Sequence, residues 1–292
     1  MSNLEAESAT AGEHQHPSRV VLLHGRDAAL DIPETMGRTW IDALRYGLKR
    51  VDYEHWSCVP IAFPYYAAGW RPDEYFAPPV FKPGHMTEHG EVAAAQESFA
   101  VPNPGDIAER ATEFFMRYLH LTDNILSLGL KDVEQYFRND QLRKKTDDYV
   151  LEACAGADEI VMVGFSMGSI VGWHVLSDQS KEFPVKSFVT CGSPLVSEGF
   201  YDYVKKLSNE IPMFPPSLRM WANIWDDRDP ATLDHDWTGR FSSAIGLQVQ
   251  AAQSFGRPPK VLKTGEAHNP FDYLSSKALG SAVATGLRAA VG

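Results

Sequence analysis

The feature that most constrains this chain is a set of short, unbroken apolar runs that stop at turn residues. Val20-Val21-Leu22-Leu23 ends at His24-Gly25, and Ile160-Val161-Met162-Val163 ends at Gly164. A strand with one wet face alternates apolar and polar residues. A continuous run of this length, rich in valine, suits a strand covered on both faces. Val185–Cys191 and Met220–Trp225 also read as strands, and further strands are expected at 56–63 and 260–263. Pro60 counts against a central position for the strand at 56–63, because proline cannot donate to the ladder.

Between these runs the period changes. Met36, Trp40, Leu44 and Leu48 recur every four residues, which builds one apolar stripe on a helix over 34–50. Pro33 sits near the start, where proline is tolerated. Helices are also expected at 107–121, at about 131–153, at 169–176 and at 273–291. Strands alternating with helices predict an α/β fold with a mostly parallel central sheet covered on both faces. Residues 1–18 are small and polar and read as a disordered tail, leaving 19–292 as a single domain. Within it, 64–105 interleaves prolines with Tyr65, Tyr66, Trp70, Tyr75, Phe76 and Phe81. Long insertions of this kind serve as lids or substrate-binding loops, and aromatics in them also simply pack.

Composition narrows the function classes. The chain has 292 residues and a formal charge of −11, so nucleic acid and anionic membranes are poor partners. The N-terminus lacks the basic and apolar regions of a secretory signal. The most apolar stretch, 160–176, is broken by Ser166, Ser169 and His174 and is too short and polar for stable membrane insertion. A cytoplasmic location is expected. Cys58, Cys154 and Cys191 are far apart with no CxxC spacing, so buried free thiols are expected rather than a disulfide framework or zinc ribbon.

Gly164-Phe165-Ser166-Met167-Gly168 fits G-x-S-x-G. The chemistry needs a very tight strand-to-helix turn. Glycines leave room where a Cβ would strike backbone, and the serine hydroxyl is presented at the start of a helix. The strand-like run before it and the apolar helix pattern after it are the context that this motif requires. Three other segments agree with it. His24-Gly25-Arg26 follows the first buried run, where a backbone amide after such a glycine commonly gives half of an oxyanion hole. The donors would be the amides of Arg26 and Met167, with His24 ordering the loop. Met220–Trp225 leads into Asp226-Asp227-Arg228-Asp229-Pro230. An orienting carboxylate belongs on such a loop. Asp229 is favoured because Pro230 fixes the turn behind it, and Asp226 is the runner-up. Among the ten histidines, His268 follows serine and acid in the right order, on a loop beyond the last expected strand. His235 competes, but it lies six residues after Asp229, tight for a base that must reach over the serine.

With VVLLHG at 20–25, GFSMG at 164–168, TCGSPL at 190–195, NIWDDRDP at 223–230 and EAHNPFDY at 266–273, the chain resembles the α/β-hydrolases of the bacterial lipase/esterase kind. The resemblance implies the α/β-hydrolase fold and cleavage of an acyl ester on a small-molecule or lipid substrate. It implies Ser166 as nucleophile, His268 as base, Asp229 as acid and the Arg26 and Met167 amides as oxyanion donors. It implies no metal or organic cofactor. The chain departs from the common pattern in the charged Arg26 and in about 140 residues between the HG turn and the serine.

Two rivals stand beside this reading. A catalytically idle α/β-hydrolase fold could serve as a binding or receptor module. His85-Met86-Thr87-Glu88-His89 fits H-x-x-E-H, a zinc pattern that requires a rigid helix. Pro83-Gly84 before it and Gly90 after it are loop punctuation, so a solvated turn is expected there instead.

Overall fold

The computed structural model describes residues 18–25, 33–64, 66, 133–177, 183–195, 214–215, 217–226, 229–232, 245–248 and 268–289. Among these residues six strands form one sheet: β1 (Arg19–Leu23), β2 (Ile61–Ala62), β3 (Ile160–Phe165), β4 (Val185–Cys191), β5 (Met220–Trp225) and β6 (Ile245–Gln248). Their order is β2-β1-β3-β4-β5-β6, and every neighbouring pair is parallel. This is an α/β architecture.

The helices among these residues include α1 (Pro33–Lys49), α2 (Asp140–Cys154), α3 (Met167–Ser177), α4 (Pro270–Leu274) and α5 (Lys277–Ala289). Successive residues of a strand face opposite ways, and β1 shows this directly. Val20 and Leu22 enter a core with Trp40, Leu44 and Leu48 of α1 and Leu279, Val283 and Leu287 of α5. Val21 and Leu23 enter a second core with Val150 of α2 and Ile170, Val171 and Trp173 of α3. Both faces of the strand are therefore dry, which is why its apolar run is unbroken. The stripe Met36, Trp40, Leu44 and Leu48 is buried throughout. Removing any one of these side chains would cost roughly 2–5 kcal/mol.

The chain places β2 on one side of β1 and β3 on the other, then continues outward through β4, β5 and β6. That reversal makes the carboxyl ends of β1 and β3 a switch point. There the loops part, and a crevice opens in sheets of this kind.

Four expectations are corrected in detail. The strand expected at 56–63 is only Ile61–Ala62, at the sheet edge beside β1; residues 54–58 form turns. Pro60 fits this, for its carbonyl accepts from the Val20 amide while it has no amide to give. Cys58, expected to be buried, is exposed because it lies in those turns; Cys154 and Cys191 are buried, and all three are free. The helix expected at about 131–153 is divided at Asn139, whose side chain accepts from the Leu142 amide and starts α2 afresh. The closing helix begins at Pro270 and is divided at Ser275–Ser276. The expectations at 1–17, 107–121 and 260–263, His235, and nearly all of 64–105 lie outside the described residues.

Candidate active site

Ser166 stands between β3 and α3 with φ +53°, a left-handed conformation that costs a non-glycine residue about 1–2 kcal/mol. The turn is tight because its neighbours lack side chains. A Cβ on Gly164 would lie 2.8 Å from the Gly168 carbonyl oxygen and from Ser169 Cα. One on Gly168 would lie 2.6 Å from the His24 carbonyl oxygen, so the elbow packs directly on the end of β1. Two further bonds hold the turn. The Ser166 amide donates to the Cys191 carbonyl at 3.1 Å. The Ser169 hydroxyl donates to the Ser166 carbonyl at 2.5 Å and lies 2.7 Å from the Ser193 hydroxyl, both side chains buried. The run Gly192-Ser193-Pro194-Leu195 thus braces the turn from β4.

Ser166 Oγ lies 3.0 Å from His268 Nε2. His268 Nδ1 lies 2.9 and 3.0 Å from the two carboxylate oxygens of Asp229. A carboxylate only accepts, so Nδ1 carries the ring proton and Nε2 is left to accept from the serine hydroxyl. His268 is 3% exposed and Asp229 is fully buried, so this bond operates out of water. Three residues separated by up to 102 positions are brought into one hydrogen-bonded line. In such a line the imidazole can take the serine proton as the oxygen attacks, and the carboxylate can stabilise the imidazolium that forms.

The turn after β5 brings the Asp229 carboxylate to His268. Asp229 Oδ1 accepts from the Ala231 amide at 2.8 Å, at the head of a 3₁₀ turn over Pro230–Thr232. Asp226 contributes backbone: its carbonyl accepts from the Asp229 amide at 2.9 Å and from the Thr232 hydroxyl at 3.0 Å. It is therefore Asp229, not Asp226, that meets His268.

Met167 is the first residue of α3, so its amide has no acceptor within the helix and lies at the positive end of the helix dipole. Its side chain is buried in the core that also holds Leu23, Ile170 and Val171. Arg26 lies outside the described residues. Gly25 beside it is described: a Cβ there would lie 3.2 Å from Ser166 Cβ, so the loop after β1 reaches the serine.

His24 does not join the line. Its Nδ1 lies 2.7 Å from the Gly25 carbonyl oxygen, and its Nε2 accepts from the Tyr66 amide at 3.2 Å. The Tyr66 ring stacks on it at 3.8 Å, and the Tyr66 hydroxyl donates to the His24 carbonyl. Burial drives the His24 pKa down to about 3, against a smaller upward pull from the Gly25 carbonyl. It is a neutral clamp on the loop.

Several supporting residues have no motif to announce them. Tyr273 donates to Asp229 Oδ2 at 2.7 Å. Phe165 lies against the His268 ring, centroids 4.8 Å apart. The Asn269 side chain accepts from the Phe271 amide at 2.9 Å and starts α4 immediately after His268. Asn269 followed by Pro270 is the one such signal visible in sequence, as a helix start.

His85 and His89 lie outside the described residues. Among the described residues no group of three or more His, Cys, Asp or Glu is arranged to hold a metal ion, and no helix is long and apolar enough to cross a membrane. Set against known protein families, curated proteins and solved structures, the chain shows no significant match.

Proposed function

We propose that this chain is a serine hydrolase of the α/β-hydrolase type that cleaves an acyl ester through an acyl-enzyme. The observation that carries the reading is the line Ser166–His268–Asp229, at 3.0 Å and then 2.9–3.0 Å, built on a serine at φ +53°. Its place at the sheet's switch point, after β3, supports the same reading.

In this mechanism His268 Nε2 takes the proton of Ser166 as Oγ bonds to the ester carbonyl carbon. The carbonyl electrons move to oxygen, and the Met167 amide donates to that oxyanion; the Arg26 amide is the second donor in this reading. Removing one such donor typically costs about 3–4 kcal/mol. Asp229 keeps the imidazole in its Nδ1–H tautomer and balances the imidazolium charge. Collapse of the intermediate expels the alcohol, which leaves with the proton from His268. Water then repeats the attack on the acyl-enzyme with His268 again as base, and Ser166 recovers its proton. Another acceptor in place of water would make the same line an acyltransferase. The aromatic segment 64–105 motivates an apolar acyl group.

Labelling with a fluorophosphonate, followed by mass spectrometry of the modified peptide, tests the reading. Label is expected on Ser166, with loss in His268→Ala, and turnover of p-nitrophenyl acyl esters should accompany it. A folded chain that takes no label and turns over no ester across a range of chain lengths would refute it and return the fold to a binding role.

A further inference from the structure

On the reading of Ser166, His268 and Asp229 just given, we infer that Tyr273 is a positioning residue: its hydroxyl fixes the second oxygen of Asp229 and sets how much negative charge the carboxylate presents to His268. Among the described residues the hydroxyl has two partners. It donates to Asp229 Oδ2 at 2.7 Å and accepts from the Asp226 amide at 3.1 Å. An amide can only donate, so the hydroxyl's single proton is committed to the carboxylate. Burial, reinforced by the neighbouring Asp229, pushes the Tyr273 hydroxyl well above its ordinary range, so that proton stays in place.

The ring is as fixed as the hydroxyl. Tyr273 is 1% exposed. A Cβ on Gly192 would lie 3.2 Å from Tyr273 Cε2, and the Phe165 ring lies 5.9 Å away, itself against His268. Tyr273 also sits on α4, the helix that begins two residues after His268. One short element therefore carries the base's exit path and the acid's anchor.

The charged and titratable groups around the pair leave this hydroxyl a clear role. Asp226 is buried nearby, and the Cys191 thiol is buried and held protonated by burial and by Asp229. Ser166 is neutral. Among the described residues Asp229 therefore has two donors besides His268, the Ala231 amide on Oδ1 and Tyr273 on Oδ2. A donated hydrogen bond draws charge from the carboxylate. Removing it strengthens the field on His268 and favours the imidazolium.

Y273F keeps the ring and removes the bond. In the full chain we expect kcat for p-nitrophenyl ester hydrolysis to fall about tenfold with KM little changed. The acid limb of kcat/KM should move to higher pH by roughly half a unit or more. The His268 midpoint, read by nitrogen NMR in Ser166→Ala and in the S166A/Y273F double variant, should move the same way. A folded Y273F whose midpoint stays put in both measurements would overturn the inference, whatever its rate, because packing alone does not move a titration. Should Y273F fail to fold, 3-fluorotyrosine at position 273 gives a stronger donor of nearly the same size. The midpoint should then fall, and an unmoved one would overturn the inference. The NMR arm needs no turnover. An inert wild-type chain would thus sink the hydrolase reading while the titration still decides whether Tyr273 anchors Asp229.

Discussion

Two buried histidines lie close to Ser166, and their surroundings give them opposite partners. Both carry the ring proton on Nδ1 and present a bare Nε2. At His24, Nδ1–H meets a neutral carbonyl, and Nε2 meets the Tyr66 amide, a donor with no proton to surrender. At His268, Nδ1–H meets a carboxylate, and Nε2 meets a hydroxyl whose proton can be transferred. A second proton on His24 would set two N–H groups face to face in a dry site, and its pKa is held near 3 by that burial. A second proton on His268 would find Asp229 waiting. Burial alone therefore does not make a histidine inert or reactive. The charge behind one nitrogen and the proton in front of the other decide it.

The largest test of this contrast removes the reactive ring. His268→Ala should cut kcat by about 10⁴–10⁶-fold while leaving the chain folded, as in triads whose members act as a unit. Steady-state ester hydrolysis, with circular dichroism to verify the fold, measures this. A loss below tenfold would show that the two histidines do not differ in the way their partners indicate.

The next test reads stability at the other ring. The unfolded chain binds a proton at His24 near pH 6.5, whereas the folded chain refuses it until about pH 3. Between those values the unfolded state holds the extra proton, so stability rises with pH. The contribution is complete above about pH 6.5 and is lost as pH falls towards 3, at about 1.4 kcal/mol per pH unit. From pH 6.5 to 5 that amounts to about 2 kcal/mol. His24→Asn retains a donor for the Gly25 carbonyl but does not titrate, so its urea midpoint should fall less over that range than that of the unsubstituted chain. Parallel curves for the two would dismiss the linkage.

What was legible in the sequence divides along the same line. Strands covered on both faces leave unbroken apolar runs in β1 and β3; β4 and β5 also fall within segments that read as strand, although Thr190 and Asn223 lie buried in them, where they hydrogen-bond to each other. The four-residue β6, Ile-Gly-Leu-Gln, is mixed in polarity and was not foreseen. It pairs with β5 at the edge of the sheet formed by the described residues. Ser166 was marked by glycines that the elbow needs for space, and Asp229 by the proline that shapes its turn. Tyr273 was invisible: its bond to Asp229 spans 44 positions, and a tyrosine in an apolar helix pattern reads as core. Phe165 was equally silent, since an aromatic at the variable site of G-x-S-x-G carries no message until His268 folds against it. Local geometry leaves a trace in spacing, whereas partnership across the sheet leaves none.

The smallest effects separate holding a helix from holding the base. Asn139 and Asn269 are both helix caps, accepting from the Leu142 and Phe271 amides at 3.1 and 2.9 Å. Asn139 starts α2, on the face of the sheet opposite α4; Asn269 starts α4 and adjoins His268. Replacing a capping asparagine by alanine costs about 1 kcal/mol. At Asn139 that is the whole expectation, with kcat unchanged. At Asn269 the stability loss should be smaller, because its buried Nδ2 has no partner among the described residues and alanine removes that orphan along with the cap. Activity should nevertheless fall several-fold there, since the entry of the chain into α4 sets where the His268 ring stands. Urea midpoints and ester kinetics on both variants give the two orderings, and they should run opposite ways. If Asn269→Ala keeps full activity, the His268 ring is held by its own side-chain contacts, those to Asp229 and Phe165 among them, and the helix behind it contributes only to stability.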